Sequence, residues 1–281
     1  MRLFSHDPFR TRDATPPQVP DGAEPVDRPL RILAWVDRYP PYDNAGGEWA
    51  LHHMLRPLVA AGHRVDVCAK IGDDGCTLEG VRVHPDHQVP RLIERADVLV
   101  GHLFFTREVI HAAALAQLPL VYLFHNTFTV EHWNLTPNNL TAVVYNAQWV
   151  ADQVGPEHGL GGKPSVVVRP PVHLADYTVP PGRHERTYVT IVNPNPDKGA
   201  DVFYAMAERR RDDRFLAVAG AYGQQRRPRT AEGMHRNVEW QQQTPRMRDE
   251  VYARTRVVLM PSLYESWGRV AAEAMCSGIP V

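Results

Sequence analysis

Two α/β domains in tandem, each built on a mostly parallel sheet, are what this sequence predicts, and three observations carry the prediction. Short apolar segments alternate with stretches of helical periodicity from about residue 30 to the last residue, 281. Hairpin signals between those segments are few, which favours crossover connections and therefore parallel pairing. A proline-rich interval holding Pro170, Pro171, Pro180 and Pro181 separates one such series from a second. The length of 281 residues suits two domains, each able to bury a core.

Residues 1–29 form a polar lead with six prolines and no apolar period, expected as a flexible arm. The first domain spans 30–172 and opens with Leu30–Val36, a short apolar run of strand character. Leu51, Met54, Leu55 and Leu58 then repeat at helical spacing behind Gly46-Gly47. Pro57 should kink this helix near its end, and Gly62-His63 closes it. Further strands are expected at Val65–Ala69, Val81–Val83, Val98–Gly101, Leu120–Phe124, Ala142–Tyr145 and Val166–Val168. Helices fall near Arg91–Ala96, Arg107–Leu115 and Ala147–Val154.

Residues 173–186 read as a linker. The second domain, 187–281, starts at a strand over Tyr188–Val192, followed by a helix from about Ala200 and a strand at Phe215–Ala219. An arginine-rich polar loop runs to Arg236. A helix at Thr244–Ala253, a strand at Val257–Met260 and a helix at Gly268–Cys276 complete the series. Gly278–Val281 enters what reads as one more strand, so the second domain is expected to be incomplete.

Composition excludes several function classes. The 31 Lys+Arg residues balance 32 Asp+Glu for a formal charge of −1, which argues against a general binder of nucleic acid or anionic membrane. A hydrophobic content of 43% excludes a wholly disordered chain. No apolar run approaches the ~20 residues of a membrane span, and the N-terminal stretch lacks the apolar core of a signal peptide. Cys68, Cys76 and Cys276 are odd in number and dispersed, as expected of reduced thiols in the cytoplasm. The sequons at Asn134 and Asn139 carry no weight there. Residues 1–185 hold 16 basic and 21 acidic residues, whereas 186–281 hold 15 and 11, an excess that suits an anionic ligand in the second half.

Candidate chemistry clusters at strand–helix junctions. Gly46-Gly47 follows the first strand and opens a helix, where an anion meets backbone N–H groups and the positive helix end. A plain tight turn is the competing reading. His102 and His125-Asn126 stand at the carboxyl ends of parallel strands, where open α/β sheets place ligands. Together they mark a polar pocket; no tight Cys/His/Asp cluster accompanies them, so a metal is not expected. The string His84-Pro85-Asp86-His87 reads as surface, Gly159–Gly162 as loop, and His52-His53 point to different helix faces. Tyr42 and Trp133 could stack a sugar face or simply pack. Asp197-Lys198-Gly199 repeats the junction in the second half, with a lysine placed to reach a phosphate at the helix start.

The most informative string is Pro261-Ser262-Leu263-Tyr264-Glu265-Ser266-Trp267-Gly268-Arg269-Val270-Ala271-Ala272-Glu273. Glu265 falls in the turn after a strand, Gly268 at the helix entrance, and Glu273 two turns on. One carboxylate then lies near an anion-binding helix start. The other lies deeper, where it can accept hydrogen bonds from vicinal hydroxyls such as a ribose diol.

These motifs resemble the retaining glycosyltransferases of family 4, whose fold is GT-B, two Rossmann-like domains facing a cleft. The resemblance covers roughly 30–281. It rests on Gly46-Gly47, Gly62-His63-Arg64-Val65-Asp66-Val67, His102, Leu118-Pro119-Leu120 before His125, Arg169-Pro170-Pro171-Val172, Lys198-Gly199, and the Glu265/Glu273 pair with its trailing Ser277–Val281. It implies transfer of a sugar from a nucleotide-diphosphate donor to an acceptor hydroxyl, without metal or cofactor; no Asp-x-Asp string is present. His102, Lys198 and Glu265 would be catalytic: His102 lines the transferred sugar, Lys198 neutralises the leaving diphosphate, and Glu265 holds sugar hydroxyls. Gly46, Gly47, Lys198, Gly199, Gly268 and Glu273 would bind the donor, with Glu273 on the ribose. Tyr42, His125, Asn126 and Trp133 would lie on the acceptor side.

Asn193 departs from the family pattern, which has an arginine there as a second diphosphate cation; Arg227, Arg229 and Arg269 are the candidate substitutes. The acceptor, whether glycan, lipid, small molecule or protein, is left open. A protein partner completing the second domain is a further expectation. Two alternatives accompany this reading: a non-catalytic or split GT-B module acting through a partner, and a nucleotide-sugar epimerase on the same fold.

Overall fold

Apolar runs without polar alternation form strands buried on both faces, as central parallel strands require. The computed structural model describes residues 27–43, 45–103, 105–231 and 233–281. Of the arm expected over 1–29, only 27–29 fall within that range, and there Arg28 pairs with Asp97 at 2.7 Å.

The first unit contains β1 (Arg31–Trp35), α1 (Gly46–Ala60), β2 (Arg64–Ala69), β3 (Cys76–Leu78), β4 (Val81–Pro85), α2 (Val89–Ile93) and β5 (Val98–His102). It continues with α3 (Thr106–Ala116), β6 (Leu120–Phe124), α4 (Thr129–His132), β7 (Ala142–Tyr145), α5 (Gln148–Glu157) and β8 (Ser165–Val167). Its eight strands run in the order β3-β4-β2-β1-β5-β6-β7-β8. All pairings are parallel except β3 on β4. Alternation along β1 divides the core between the two faces: Leu33 joins Leu99, Tyr122, Phe124 and Val150, while Ile32 and Ala34 join Leu51, Leu55, Val65 and Val83.

The second unit contains α6 (Leu174–Tyr177), β9 (Tyr188–Val192), α7 (Ala200–Arg209), β10 (Arg214–Val218), β11 (Val238–Gln241), β12 (Thr255–Val258) and α8 (Arg269–Cys276). Its four parallel strands are ordered β11-β10-β9-β12. The same alternation sends Leu216 and Val218 to Tyr252 and Ala274 on one face, and Phe215 and Ala217 to Phe203 on the other.

The structure departs from the sequence reading in several elements. The short edge strands β3 and β11 were not expected. The helix expected over Thr244–Ala253 is a π turn at Met247–Val251 followed by a 3₁₀ turn at Tyr252–Arg254. Side-chain hydroxyls compete with the helix there. Thr244 Oγ1 accepts the Arg246 amide at 3.0 Å, and Thr255 Oγ1 donates to the Val251 carbonyl at 2.8 Å. Helix α1 runs on through Pro57 to Ala60. The interval 173–186 carries α6 and packs Tyr177 and Val179 against the second unit's core. Residues 279–281 form no strand, although Ile279 is buried and the Pro280 carbonyl accepts the Val258 amide at 2.9 Å beside β12.

Phe203 on α7 is fully buried with its ring 5.4 Å from that of Phe215. Phe203→Ala is expected to destabilise the chain by about 3–5 kcal/mol through lost burial and the cavity left behind. A urea midpoint unchanged from wild type would contradict this packing.

Candidate active site

Because the strands of each unit are parallel, their carboxyl ends gather on one side, and the loops leaving those ends converge. From the first unit come the α1 start at Gly46-Gly47, His102 as the last residue of β5, His125 after β6 and Asn146 after β7. The second unit contributes 193–199 after β9 and 261–268 after β12.

The loop after β9 is fixed by its own polar groups. Asn193 sits in the left-handed region with φ +62° and is buried. Its Oδ1 accepts from Asn195 at 3.2 Å and from Gln225 at 2.5 Å. Asn195 in turn accepts the Lys198 amide at 3.0 Å, capping a 3₁₀ turn over Pro196–Lys198. Asn193 thus braces the turn that presents Lys198. Gly199 follows with φ +76°, and a Cβ there would lie 2.4 Å from the Pro261 carbonyl, so only glycine fits. This close approach brings Lys198 Nζ to 2.6 Å from Glu265 Oε1, which also accepts from Ser262 Oγ at 2.8 Å. Both members of the pair are partly exposed.

Gly268, with φ +74°, turns the chain into α8. Glu273 on α8 is buried and accepts from Arg269 Nε at 2.6 Å and Tyr252 Oη at 2.7 Å. Burial raises its pKa above the ordinary carboxylate value, and Arg269 opposes that shift. Arg269 Nη2 reaches Tyr177 Oη at 3.0 Å and His53 Nδ1 of the first unit at 3.1 Å.

Across from these groups, a Cβ on Gly47 would lie 3.3 Å from both His125 and Leu103. The rings of His102 and His125 meet edge-on at 5.4 Å. Burial holds His102 well below the usual imidazole range and lowers His125 to about 4, where the charges of Arg269 and Lys198 add to the effect. His53 falls to about 3 through burial and then Arg269. These imidazoles are therefore neutral near pH 7. Further contacts join the units. Asn146 Nδ2 donates to Ser266 Oγ at 3.2 Å, and the Thr127 amide donates to Tyr264 Oη at 2.9 Å. The Tyr264 ring stacks on Phe128 at 4.9 Å and meets Trp149 at 5.5 Å. His102 Nε2, Asn146 Oδ1, Trp267 Nε1 and Arg269 Nη1 are buried here without a hydrogen-bond partner. Such groups are costly to bury unless something meets them.

Among the expected site residues, Gly46 and Gly47 open α1, His102 ends β5, His125, Lys198, Gly199, Glu265 and Gly268 lie on these converging loops, and Glu273 lies in the second turn of α8. Asn126 instead orders its own loop, accepting the Phe128 amide at 2.9 Å and donating to Glu131 at 2.6 Å. Tyr42 is exposed and donates its hydroxyl to the Asp74 carbonyl at 2.8 Å, and Trp133 is exposed beyond α4. His53, Tyr177, Tyr252, Asn146, Ser262 and Tyr264 were not anticipated. For Arg269 with Glu273 the i, i+4 spacing was a visible signal, and Ser262 lies three residues before its partner Glu265; the other contacts form only through tertiary structure. Among the described residues, no three His, Cys, Asp or Glu side chains form a metal-ligating set, and no helix is long and apolar enough to cross a membrane.

Residues 183–281 match the family model described as Glycosyl transferases group 1. The structure is similar to that of AviGT4, a glycosyltransferase involved in avilamycin A biosynthesis, with 21% identity, 90% of this chain and 78% of that chain covered, and a TM-score of 0.55. It is also similar to the pneumococcal O-GlcNAc transferase GtfA in complex with UDP and GlcNAc, with 8% identity, coverage of 89% and 83%, and a TM-score of 0.64. No curated protein matches the chain. The fold is GT-B, two units built on parallel sheets.

The neutral histidines give a pH dependence with a definite sign. Unfolded, they titrate near 6.5; folded, His125 and His132 take a proton near about 4 and His53 near about 3. Between those values the unfolded chain binds more protons, so stability is lost as pH falls from about 6.5. The urea midpoint should be nearly flat from pH 8 to 7 and drop steeply toward pH 4.5, with a shallower drop in His125→Gln. Parallel pH profiles for wild type and variant would remove His125 from this account.

Proposed function

We propose that the protein is a retaining glycosyltransferase. It moves a hexosyl group from a nucleotide-diphosphate donor to an acceptor hydroxyl without a divalent metal ion, in the cytoplasm. The observation that carries this reading is the Lys198–Glu265 pair at 2.6 Å, held at one junction by Asn195, Gly199 and Ser262. A cation beside a carboxylate suits the two ends of a sugar diphosphate: Lys198 takes charge developing on the departing phosphate, and Glu265 accepts hydrogen bonds from sugar hydroxyls.

Gly46 and Gly47 admit the diphosphate to the start of α1, and Gly199 and Gly268 keep the facing loops free of side chains. His102, neutral and with an unpartnered buried Nε2, lines the sugar. Glu273 accepts from Arg269 and Tyr252, with Tyr177 also on the carboxylate, and its remaining lone-pair capacity would meet a ribose hydroxyl. The acceptor oxygen attacks the anomeric carbon on the face from which the diphosphate leaves. The bond from that carbon to the phosphate oxygen breaks, and the acceptor's proton passes to the departing phosphate. His125 stands beside Gly47 on the acceptor side, with Asn126 ordering the neighbouring loop and Tyr42 and Trp133 as outlying acceptor contacts. Cytoplasmic placement is supported by the three free cysteines, Cys68, Cys76 and Cys276.

Melting the chain with UDP, GDP, ADP and CMP, each with and without EDTA, tests the donor site. A ligand of the folded state raises the melting temperature by mass action. One nucleoside diphosphate should give a selective shift that EDTA leaves intact; no shift from any of them would count against the reading. Lys198→Ala and Glu265→Ala should each lower transfer roughly 10²–10³-fold while melting close to wild type. Full transfer activity in either variant would refute the role given to that residue.

A further inference from the structure

Arg269 is the first residue of α8, and its side chain crosses from the second unit to the first. Its Cδ lies 3.9 Å from where a Cβ of Gly46 would stand, at the start of the 15-residue helix α1. The side chain is only 11% exposed. Three neighbours hold two of its three nitrogens: Glu273 on Nε, and Tyr177 and His53 on Nη2. Nη1 is buried and meets no acceptor. A guanidinium presents five N–H donors in a rigid fork. Here one edge of the fork is held by protein groups, and Nη1 is left buried without an acceptor.

The surroundings specify what would meet Nη1. Neither α1 nor α8 has a side-chain cap at its start, so both helix ends bring uncapped N–H groups and positive potential to this region. The charges of Arg269 and Lys198 both reach His125, whose pKa they help to lower. Three other arginines of the second unit are engaged elsewhere. Arg226 pairs with Asp201, Arg227 lies over Trp240 at 5.3 Å, and Arg254 pairs with Glu239 at 2.7 Å.

We propose that Arg269 is a donor-phosphate ligand whose unpartnered Nη1 takes an oxygen of the nucleoside diphosphate. Glu273 and Tyr177 act as positioning residues that hold the fork in that pose. The assignment rests on the glycosyltransferase reading above and adds a second cation to Lys198.

The test titrates the full chain, wild type and Arg269→Gln, with UDP, GDP and ADP, and by competition with uridine, guanosine and adenosine. For the base that wild type accepts, the variant should lose roughly 10–100-fold in diphosphate affinity, as for loss of a charge-assisted bond. Its affinity for the matching nucleoside should fall by a clearly smaller factor, because no phosphate is involved and Glu273 keeps Tyr252 as a donor. Equal losses for nucleoside and diphosphate would make Arg269 a purely structural cation and overturn the proposal; so would no loss for either. Should Arg269→Gln fail to fold, Arg269→Lys keeps the charge but loses the planar fork. It should show a smaller loss that still falls mainly on the diphosphate, and a non-selective or absent loss would overturn the proposal equally. Wild type that binds none of the three diphosphates would defeat the glycosyltransferase reading itself, whereas a non-selective variant effect defeats only the role of Arg269.

Discussion

The buried pair of Arg269 with Glu273 is the interaction on which the cleft depends. It lies within one helix, yet its hydrogen bonds run to Tyr252 before β12, to Tyr177 of α6 and to His53 of α1. Four separated segments therefore share one electrostatic centre. Taking both charges out of water is expensive, and their attraction offsets the cost only where the remaining donors and acceptors are met. Three tyrosine and histidine contacts do part of that work, and His53 must stay neutral to accept from the guanidinium. Burial and the positive charge of Arg269 together keep it so.

Around this centre the backbone sets the distances. At Gly199 the chain passes so close to Pro261 that no side chain fits, and that closeness lets the loops after β9 and β12 exchange the Lys198–Glu265 bond. A second tie, from the Leu263 amide to the Asp197 carbonyl at 2.9 Å, fixes the same spacing. The position held by Asn193 shows how polar side chains substitute for regular structure. Its left-handed backbone is one that asparagine tolerates well, and its carboxamide joins Asn195 and Gln225 in a turn that would otherwise lack support.

Much of this was legible in the sequence, for identifiable reasons. Central strands such as β1, β6 and β9 are dense apolar runs, and their alternation with helical spacing gave the fold class. The edge strands were harder to see. β11 reads Val-Glu-Trp-Gln and β3 only Cys-Thr-Leu, so neither carries enough apolar signal to stand out from a loop. The expected helix over Thr244–Ala253 failed because spacing of Met247, Val251 and Tyr252 suits a helix while two threonine hydroxyls take backbone partners away from it. In the site, Lys198, Glu265 and Glu273 were visible because each sits in a local strand–turn–helix pattern. The approach of His53 to Arg269 spans 216 positions, and no local pattern encodes it. The rings of His52 and His53, expected on different helix faces, lie 5.7 Å apart and both pack on Trp49, although their polar partners differ. His52 turns to Tyr39 and Glu79, both at 2.9 Å, and His53 turns to the cleft.

Tyr264 ties the two units together at the edge of the candidate site. Its ring lies between Phe128 and Trp149, and its hydroxyl accepts the Thr127 amide, so this one side chain fastens the two units at the rim. The next residue is Glu265. The Lys198–Glu265 bond thus lies one residue from the contacts that join the second unit to the loop after β6, so the charged pair and the clasp between the units share one short segment.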